Sequence, residues 1–193
     1  MNILGHCLLS GDDPHLLIGN FIADGLPRSK WSKLPASIQK GVRLHHFIDT
    51  FTDSHPKIQE LIASLRPSQG KYAPVVSDLL IDHVLARDWD RYASIPLADF
   101  VHRVHTELNL GTAHMTEGRK RMFSFMRQQN WLLSYAEAEG IQMALRGMHR
   151  RSSFPNRMDE AYADYLMSTS VWDGLAGDFL QDVISAAAQK RDH

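Results

Sequence analysis

The sequence predicts an all-α protein, a single-domain helical bundle spanning residues 1–193. Three observations lead there. Apolar residues recur at the spacing of a helix face, as in Leu97, Phe100, Val101, Val104 and Leu108. No stretch alternates apolar and polar residues for long enough to demand a strand. No internal repeat, low-complexity tract or long linker divides the chain, and its length suits one domain with a substantial core.

The elements follow in order. Residues 2–9 are apolar apart from His6. Gly11-Asp12-Asp13-Pro14 signals a helix start, with Asp13 as N-cap and Pro14 in the first position, and a helix is predicted over 14–25. Asn20 and Asp24 lie on one face of it. Arg28 to Pro35 is a basic loop, and Pro35 opens the helix that ends at Ser54-His55-Pro56. A short helix is expected over 57–65, then an aliphatic one framed by Gly70 and Pro74 and running to about Trp89. Helices follow beyond Pro96, over about 114–136, and from Gly140 through Met148. The last segment, 156–190, reads as one or two helices, with Gly174 and Gly177 as the break.

Composition narrows the function. An apolar share of 44% with 22% charged residues is ordinary for a folded soluble chain. The formal net charge of −1 provides no global field for nucleic acid or an anionic membrane, so neither is an expected partner. The single cysteine, Cys7, excludes an internal disulfide and a cysteine zinc cluster. No signal peptide or membrane-spanning run is apparent, and a cytoplasmic location is the default expectation. P-loop, dinucleotide and G-x-S-x-G signatures are absent, which removes those nucleotide-binding and serine-hydrolase classes.

Two segments carry the chemistry. In Leu44-His45-His46-Phe47-Ile48-Asp49-Thr50-Phe51-Thr52-Asp53, a helix puts Leu44, Phe47, Ile48 and Phe51 on an apolar stripe with His45, Asp49 and Thr52 along its border. His46 and Asp53 turn toward solvent. In the second segment, Val75, Val76, Leu79, Leu80, Ile81, Val84 and Leu85 surround Asp78, Asp82 and His83. Ionised carboxylates on so apolar a helix need compensation from an arginine, a protonated histidine or a metal. Acids and imidazoles from several helices, namely Asp24, His45, Asp49, Asp78, Asp82 and His83 with His6, make a metal the economical answer. His102, His105, His114 and His149 have surface or packing roles in this reading. Oxygen and nitrogen ligands without thiolate suit Mn²⁺, Mg²⁺, Fe²⁺ or Zn²⁺. Such ions acidify a bound water and hold a phosphoryl oxygen, so phosphoester hydrolysis is the natural chemistry.

These residues also resemble the bacterial acyl carrier protein phosphodiesterases. The likeness rests on Met1-Asn2-x-Leu4-x-His6, Gly19-Asn20 with Ala23-Asp24, Gly41 followed by His45 and Ile48-Asp49, Thr52-Asp53, Asp78 with Asp82-His83, Trp131-Leu132, and Gly147-Met148 with Arg151. It implies an all-helical fold like that of the His-Asp metal-dependent phosphohydrolases and a divalent ion, typically Mn²⁺. The reaction implied is hydrolysis of the phosphodiester joining 4′-phosphopantetheine to the serine of holo-acyl carrier protein. The implied metal group is Asp24, His45, Asp49, Asp82 and His83, with His6. Asp82 and His45 are then ligands, while His83 or Asp24 orients the water or protonates the leaving oxygen. The pair Asp82-His83 reverses the family's usual order, which leaves the metal contact with either residue.

Acyl carrier proteins are acidic beside the modified serine, so the resemblance calls for a local basic surface. Arg28, Lys30 and Lys33 lie close in sequence to Asp24; a second cluster comprises Arg119, Lys120, Arg121 and Arg127 with Arg150-Arg151. The alternatives are a metal phosphohydrolase of a nucleotide or small phosphate ester, and a non-catalytic helical carrier-binding protein whose buried acids are merely salt-bridged.

Overall fold

The computed structural model describes residues 1–191, which form eleven α-helices joined by short segments, several of them 3-10 turns, with no strand among the described residues. The helices are α1 (Ile3–Leu9), α2 (Pro14–Ala23), α3 (Ala36–Ser54), α4 (Pro56–Gln69), α5 (Ala73–Arg87) and α6 (Leu97–Leu110). They continue as α7 (Glu117–Gln128), α8 (Trp131–Ser134), α9 (Ala138–Arg151), α10 (Ala161–Leu166) and α11 (Thr169–Arg191). The all-α class expected from periodicity is what the chain adopts. One hydrophobic core draws on all eleven helices, from Leu4 in α1 to Ala187 in α11. No helix among the described residues is long and apolar enough to cross a membrane.

Helix α5 is the axis of the bundle. Its Val76, Leu79, Leu80, Ile81, Val84 and Leu85 are buried on every side, which is why the segment shows no amphipathic stripe. Helix α2 begins as its sequence signals: Asp13 accepts from the backbone N–H groups of His15 and Leu16, and Pro14 occupies the first turn.

Helices α2 and α3 meet backbone to backbone, because both carry glycine at the crossing. A Cβ on Gly19 would lie 2.1 Å from the carbonyl oxygen of Ile38, and one on Gly41 would lie 2.4 Å from that of Leu16. This approach is what allows Asn20, next to Gly19, to reach His45, one turn beyond Gly41.

Several boundaries differ from those expected. Residues 2–9 contain a helix rather than only an apolar stretch, and residues 28–33 form 3-10 turns rather than an open loop. Helix α4 runs on to Gln69 with Pro67 inside its last turn, and the helix ends two residues after it. The segment 114–136 divides at Asn130, whose φ of 52° is left-handed and separates α7 from α8. Gly174 and Gly177 do not break α11; the division falls earlier, between α10 and Thr169, and the buried Gly177 sits inside the core-facing surface.

The Gly41 crossing sets a first prediction. Gly41→Ala should destabilise the fold by about 1–3 kcal/mol through overpacking, whereas Gly174→Ala, at an exposed position with open space around it, should be neutral or mildly stabilising. Urea unfolding of both variants measures the difference, and equal stabilities would mean the two helices can separate freely.

Candidate metal centre

Helices α1, α2 and α3 bring four side chains together: His6, Asn20, His45 and Asp49. The two imidazole rings stack with centroids 4.4 Å apart. His6 Nδ1 lies 2.8 Å and His45 Nδ1 3.0 Å from the same atom, Asn20 Oδ1. The other ring nitrogens face one carboxylate, His6 Nε2 lying 3.2 Å from Asp49 Oδ1 and His45 Nε2 3.2 Å from Asp49 Oδ2.

The orientation of the Asn20 amide follows from its other end. Asn20 Nδ2 donates to the His6 carbonyl at 2.9 Å and to Ser10 Oγ at 3.0 Å, while the Ser10 hydroxyl donates to that same carbonyl. With the amine end committed, Oδ1 is an acceptor, and each Nδ1 must donate to it. A neutral imidazole protonated at Nδ1 carries its lone pair on Nε2. Both Nε2 atoms are therefore the ones turned toward the Asp49 carboxylate, as a lone pair in the neutral ring or as a donor where the ring carries a second proton.

Electrostatics sharpen this arrangement. Burial, with the adjacent His6, pushes the His45 pKa down to about 4 against the pull of Asp49. Burial alone would raise the Asp49 carboxyl, but its hydrogen bond with His6 and the charges of His45 and His6 outweigh that and hold it below its ordinary range. At neutral pH the His45 lone pair thus faces an ionised oxygen with no proton between them. Two imidazole nitrogens and a carboxylate, all within 4.8 Å of one another, form the one group among the described residues with the composition and spacing of a cation site. Two nitrogens and an oxygen, without thiolate, suit a divalent ion of the Mn²⁺, Fe²⁺ or Zn²⁺ kind. The buried His6 and His45 form the floor, and the half-exposed Asp49 opens to solvent.

The other candidate residues lie around this centre in different surroundings. Asp82 is fully buried, and its carboxylate accepts from the backbone N–H groups of Leu4 at 2.7 Å and of Asn2 and Gly5 at 3.2 Å. It caps the N-terminus of α1, a helix whose own N-cap residue makes no side-chain cap bond. Asp78 pairs with the Met1 α-ammonium group. Backbone amides, the Met1 amino group and the nearby His6 supply positive compensation to the acids of this apolar helix.

His83 Nδ1 bonds the Tyr135 carbonyl at 2.7 Å, and its ring lies edge-on to Tyr162 and Tyr165. It faces the side of α5 covered by α8 and α10. Asp24 caps the C-terminal end of α2 and is largely exposed; its Oδ2 lies 2.8 Å from Nη2 of the buried Arg119. Its charge still reaches His45. Arg28, Lys30 and Lys33 are exposed on the 3-10 segment between α2 and α3.

Asn20 is the residue that the sequence alone did not mark as part of the centre. Its signal was present: an amide enclosed by Leu16, Leu17, Ile18, Phe21 and Ile22 must find partners, because a buried polar group without them costs about 1–3 kcal/mol.

A family model described as acyl carrier protein phosphodiesterase matches residues 1–183. Among curated relatives with that description, the protein of Photorhabdus laumondii is 27% identical over 191 residues, covering 98% of this chain and 96% of the relative. That of Enterobacter sp. (strain 638) is 27% identical, with 85% and 86% covered, and that of Yersinia pestis is 28% identical, with 78% and 79% covered. No solved structure matches the chain.

Two of the shifted groups, His45 and Asp82, give opposite pH responses. His45 falls from 6.5 to about 4 on folding, so its contribution to stability is complete above pH 6.5 and is lost as pH falls through about 4. Asp82 rises from 3.8 to about 6, so its contribution is complete below pH 3.8 and is lost as pH rises through about 6. Metal-free His45→Gln protein lacks the first response. It should gain stability relative to the unaltered chain as pH is lowered from about 6.5 to about 4.5; parallel thermal-unfolding profiles would show that His45 is not held neutral in the fold.

Proposed function

Because the chain belongs to the acyl carrier protein phosphodiesterase family, we propose that it hydrolyses the phosphodiester linking 4′-phosphopantetheine to the carrier serine, at a divalent ion held by His6, His45 and Asp49. The observation that carries the metal reading is the shared Asn20 oxygen. It commits both Nδ1 protons and leaves both Nε2 atoms aimed at the Asp49 carboxylate. Two Nε2 atoms and a carboxylate turned toward one another favour a cation at their focus.

In the reaction a water oxygen joins phosphorus and the bond from phosphorus to the serine oxygen breaks. One water proton ends on the serine oxygen, so the products are apo-carrier and 4′-phosphopantetheine. A bound divalent ion supplies acidification of the water and charge neutralisation at the phosphoryl oxygens. The chain's own residues then have distinct tasks. Asn20 holds both imidazoles in the tautomer and rotation that present Nε2. Asp82 fixes α1, and with it His6, by accepting the amides at the helix start. His83 anchors α5 against α8 and α10. Asp24, paired with Arg119 and with a charge that reaches His45, is the acid we assign to hold a water or pass a proton at the rim.

The substrate is an acidic protein, and Arg28, Lys30 and Lys33 supply an exposed basic edge. That edge joins the centre through Trp31, whose ring stacks on His46, the neighbour of His45. These cations dock the carrier's acidic helix. Mn²⁺ is the ion we assign, with Mg²⁺ or Fe²⁺ able to occupy the same donors.

Mass spectrometry of holo-acyl carrier protein incubated with the enzyme and Mn²⁺, with and without chelator, tests the reading. Loss of the phosphopantetheine mass only when metal is present is expected; an unchanged carrier with metal-loaded enzyme overturns the substrate assignment. Asn20→Leu should weaken Mn²⁺ binding by roughly 10–100-fold, as loss of a partner to metal-ligating histidines generally does. Equilibrium dialysis reads this directly, and an unaltered affinity would separate the histidines from the ion. Replacing Arg28, Lys30 and Lys33 together by Gln should flatten the fall of activity with added salt, because exposed charges are screened within roughly 10 Å at about 0.1 M salt. An unchanged salt profile would place docking elsewhere.

A further inference from the structure

His46 stands immediately beside the metal centre yet belongs to a different surface. Its ring meets His45 edge-on, with centroids 5.5 Å apart, and it is exposed where His45 is buried. It lies on the outer stripe of α3 with Lys40 and Arg43, both also exposed. One face of the ring is covered by the indole of Trp31, 4.8 Å away and inclined by 27°.

Trp31 is itself held in place. Its Nε1 donates to the Leu26 carbonyl at 3.3 Å, its body packs against the core, and the Arg28 guanidinium lies 5.6 Å from the ring centroid. The 28–33 segment contains no buried residue, so this indole is what pins the segment to α3. Arg28, Trp31 and His46 thus form a layered wall from the basic edge to the rim of the centre. Freezing an exposed imidazole in one rotamer costs conformational entropy. A stacked indole offsets that cost and leaves the ring edge, with its N–H, free to meet a ligand.

We propose that His46 is a substrate-contacting residue of the phosphodiesterase, donating a hydrogen bond from its ring to a non-bridging oxygen of the phosphodiester, and that Trp31 is its positioning residue. The inference rests on the phosphodiesterase reading and deepens it, because it names a group beside the centre that recognises the phosphoryl moiety. The contact requires only an imidazole N–H, which the neutral ring possesses. It belongs to the bound substrate as much as to the transition state, so its removal acts mainly on KM.

The test uses full-length, Mn²⁺-loaded enzyme and four variants: His46→Ala, His46→Gln, Trp31→Ala and Trp31→Phe. His46→Ala should raise KM for holo-acyl carrier protein about tenfold, the effect of one lost hydrogen bond to a charged group, with a smaller change in kcat. His46→Gln, which keeps a donor, should recover part of that loss. Trp31→Ala should raise KM in the same direction, Trp31→Phe should restore it, and the double Ala variant should be no worse than His46→Ala alone, since the indole acts through the imidazole. Additive losses, or a KM for His46→Ala within twofold of the unaltered enzyme, would overturn the proposal.

A second measurement is independent of turnover. The His46 ring resonances, assigned by their loss in His46→Gln, are followed as inorganic phosphate is added to protein loaded with diamagnetic Zn²⁺. Saturable movement that is abolished in Trp31→Ala supports the contact, and resonances that stay fixed overturn it. Failure of holo-carrier hydrolysis by the unaltered enzyme, with the resonances still moving, would instead identify the substrate reading as the part at fault.

Discussion

A single amide oxygen, Oδ1 of Asn20, determines what the candidate centre can be. It accepts from both imidazoles, so it decides at once their tautomers, their rotations and the direction in which their Nε2 atoms point. The amide could not serve this way if its own orientation were loose. Its amine end is committed to the His6 carbonyl and to Ser10, and that carbonyl belongs to one of the two histidines being held. The network therefore closes on itself within a few ångströms, in surroundings dry enough to strengthen each bond and to penalise any that fails. The glycine contact between α2 and α3 is the geometric condition for it. An alanine on either helix at that crossing would move Asn20 away from His45 before any polar atom had changed.

Asp82 shows how the amides at a helix start can hold a carboxylate that is buried on every side. Both of its oxygens are taken by the first amides of α1, and the positive end of that helix and the Met1 amino group provide the local field. The balance is close. Burial still outweighs the hydrogen bonds enough to leave the group at about 6, well above an ordinary aspartate. The ionised form holds the amides, but its burial is costly, so the group's contribution to fold stability falls as pH rises through about 6. In this arrangement Asp82 holds His6, which directly follows the last of the amides it caps.

The fold was legible in the sequence because helix periodicity is a property of neighbouring residues. Asp13-Pro14 marked the start of α2, and the unbroken aliphatic run of α5 marked a central helix. His45 and Asp49 were legible for the same reason: four residues apart on one helix, they face the same way whatever the rest of the chain does. What periodicity does not encode is which helices meet. Asp82 and His83 looked alike on their apolar helix, but their orientations about it differ by a residue's turn, so one reaches α1 and the other faces α8 and α10. Asp24 sits at the end of its helix and finds Arg119, 95 residues away. Asn20 was visible as a buried amide, but that it would hold two histidines depended on a crossing that only two glycines hinted at.

Helix α1 explains why the centre and the fold stand or fall together. At seven residues it is too short to persist alone, and its sequence provides no side-chain cap at the start. Both ends are secured from far along the chain, the N-terminus by Asp82 and the C-terminal Leu9 carbonyl by Arg191, whose Nη1 lies 2.6 Å away. His6 rides on that helix between the two anchors. The partner histidine and the amide come from α3 and α2, whose contact is itself tertiary. No fragment of the chain therefore holds the centre in advance, and an ion binding there meets its donors only in the folded state. Such an ion stabilises the fold by its full binding free energy at the prevailing concentration. By the same linkage, affinity for such an ion would respond to substitutions at Asp82, Gly41 or Arg191, which lie outside the group of His6, His45 and Asp49.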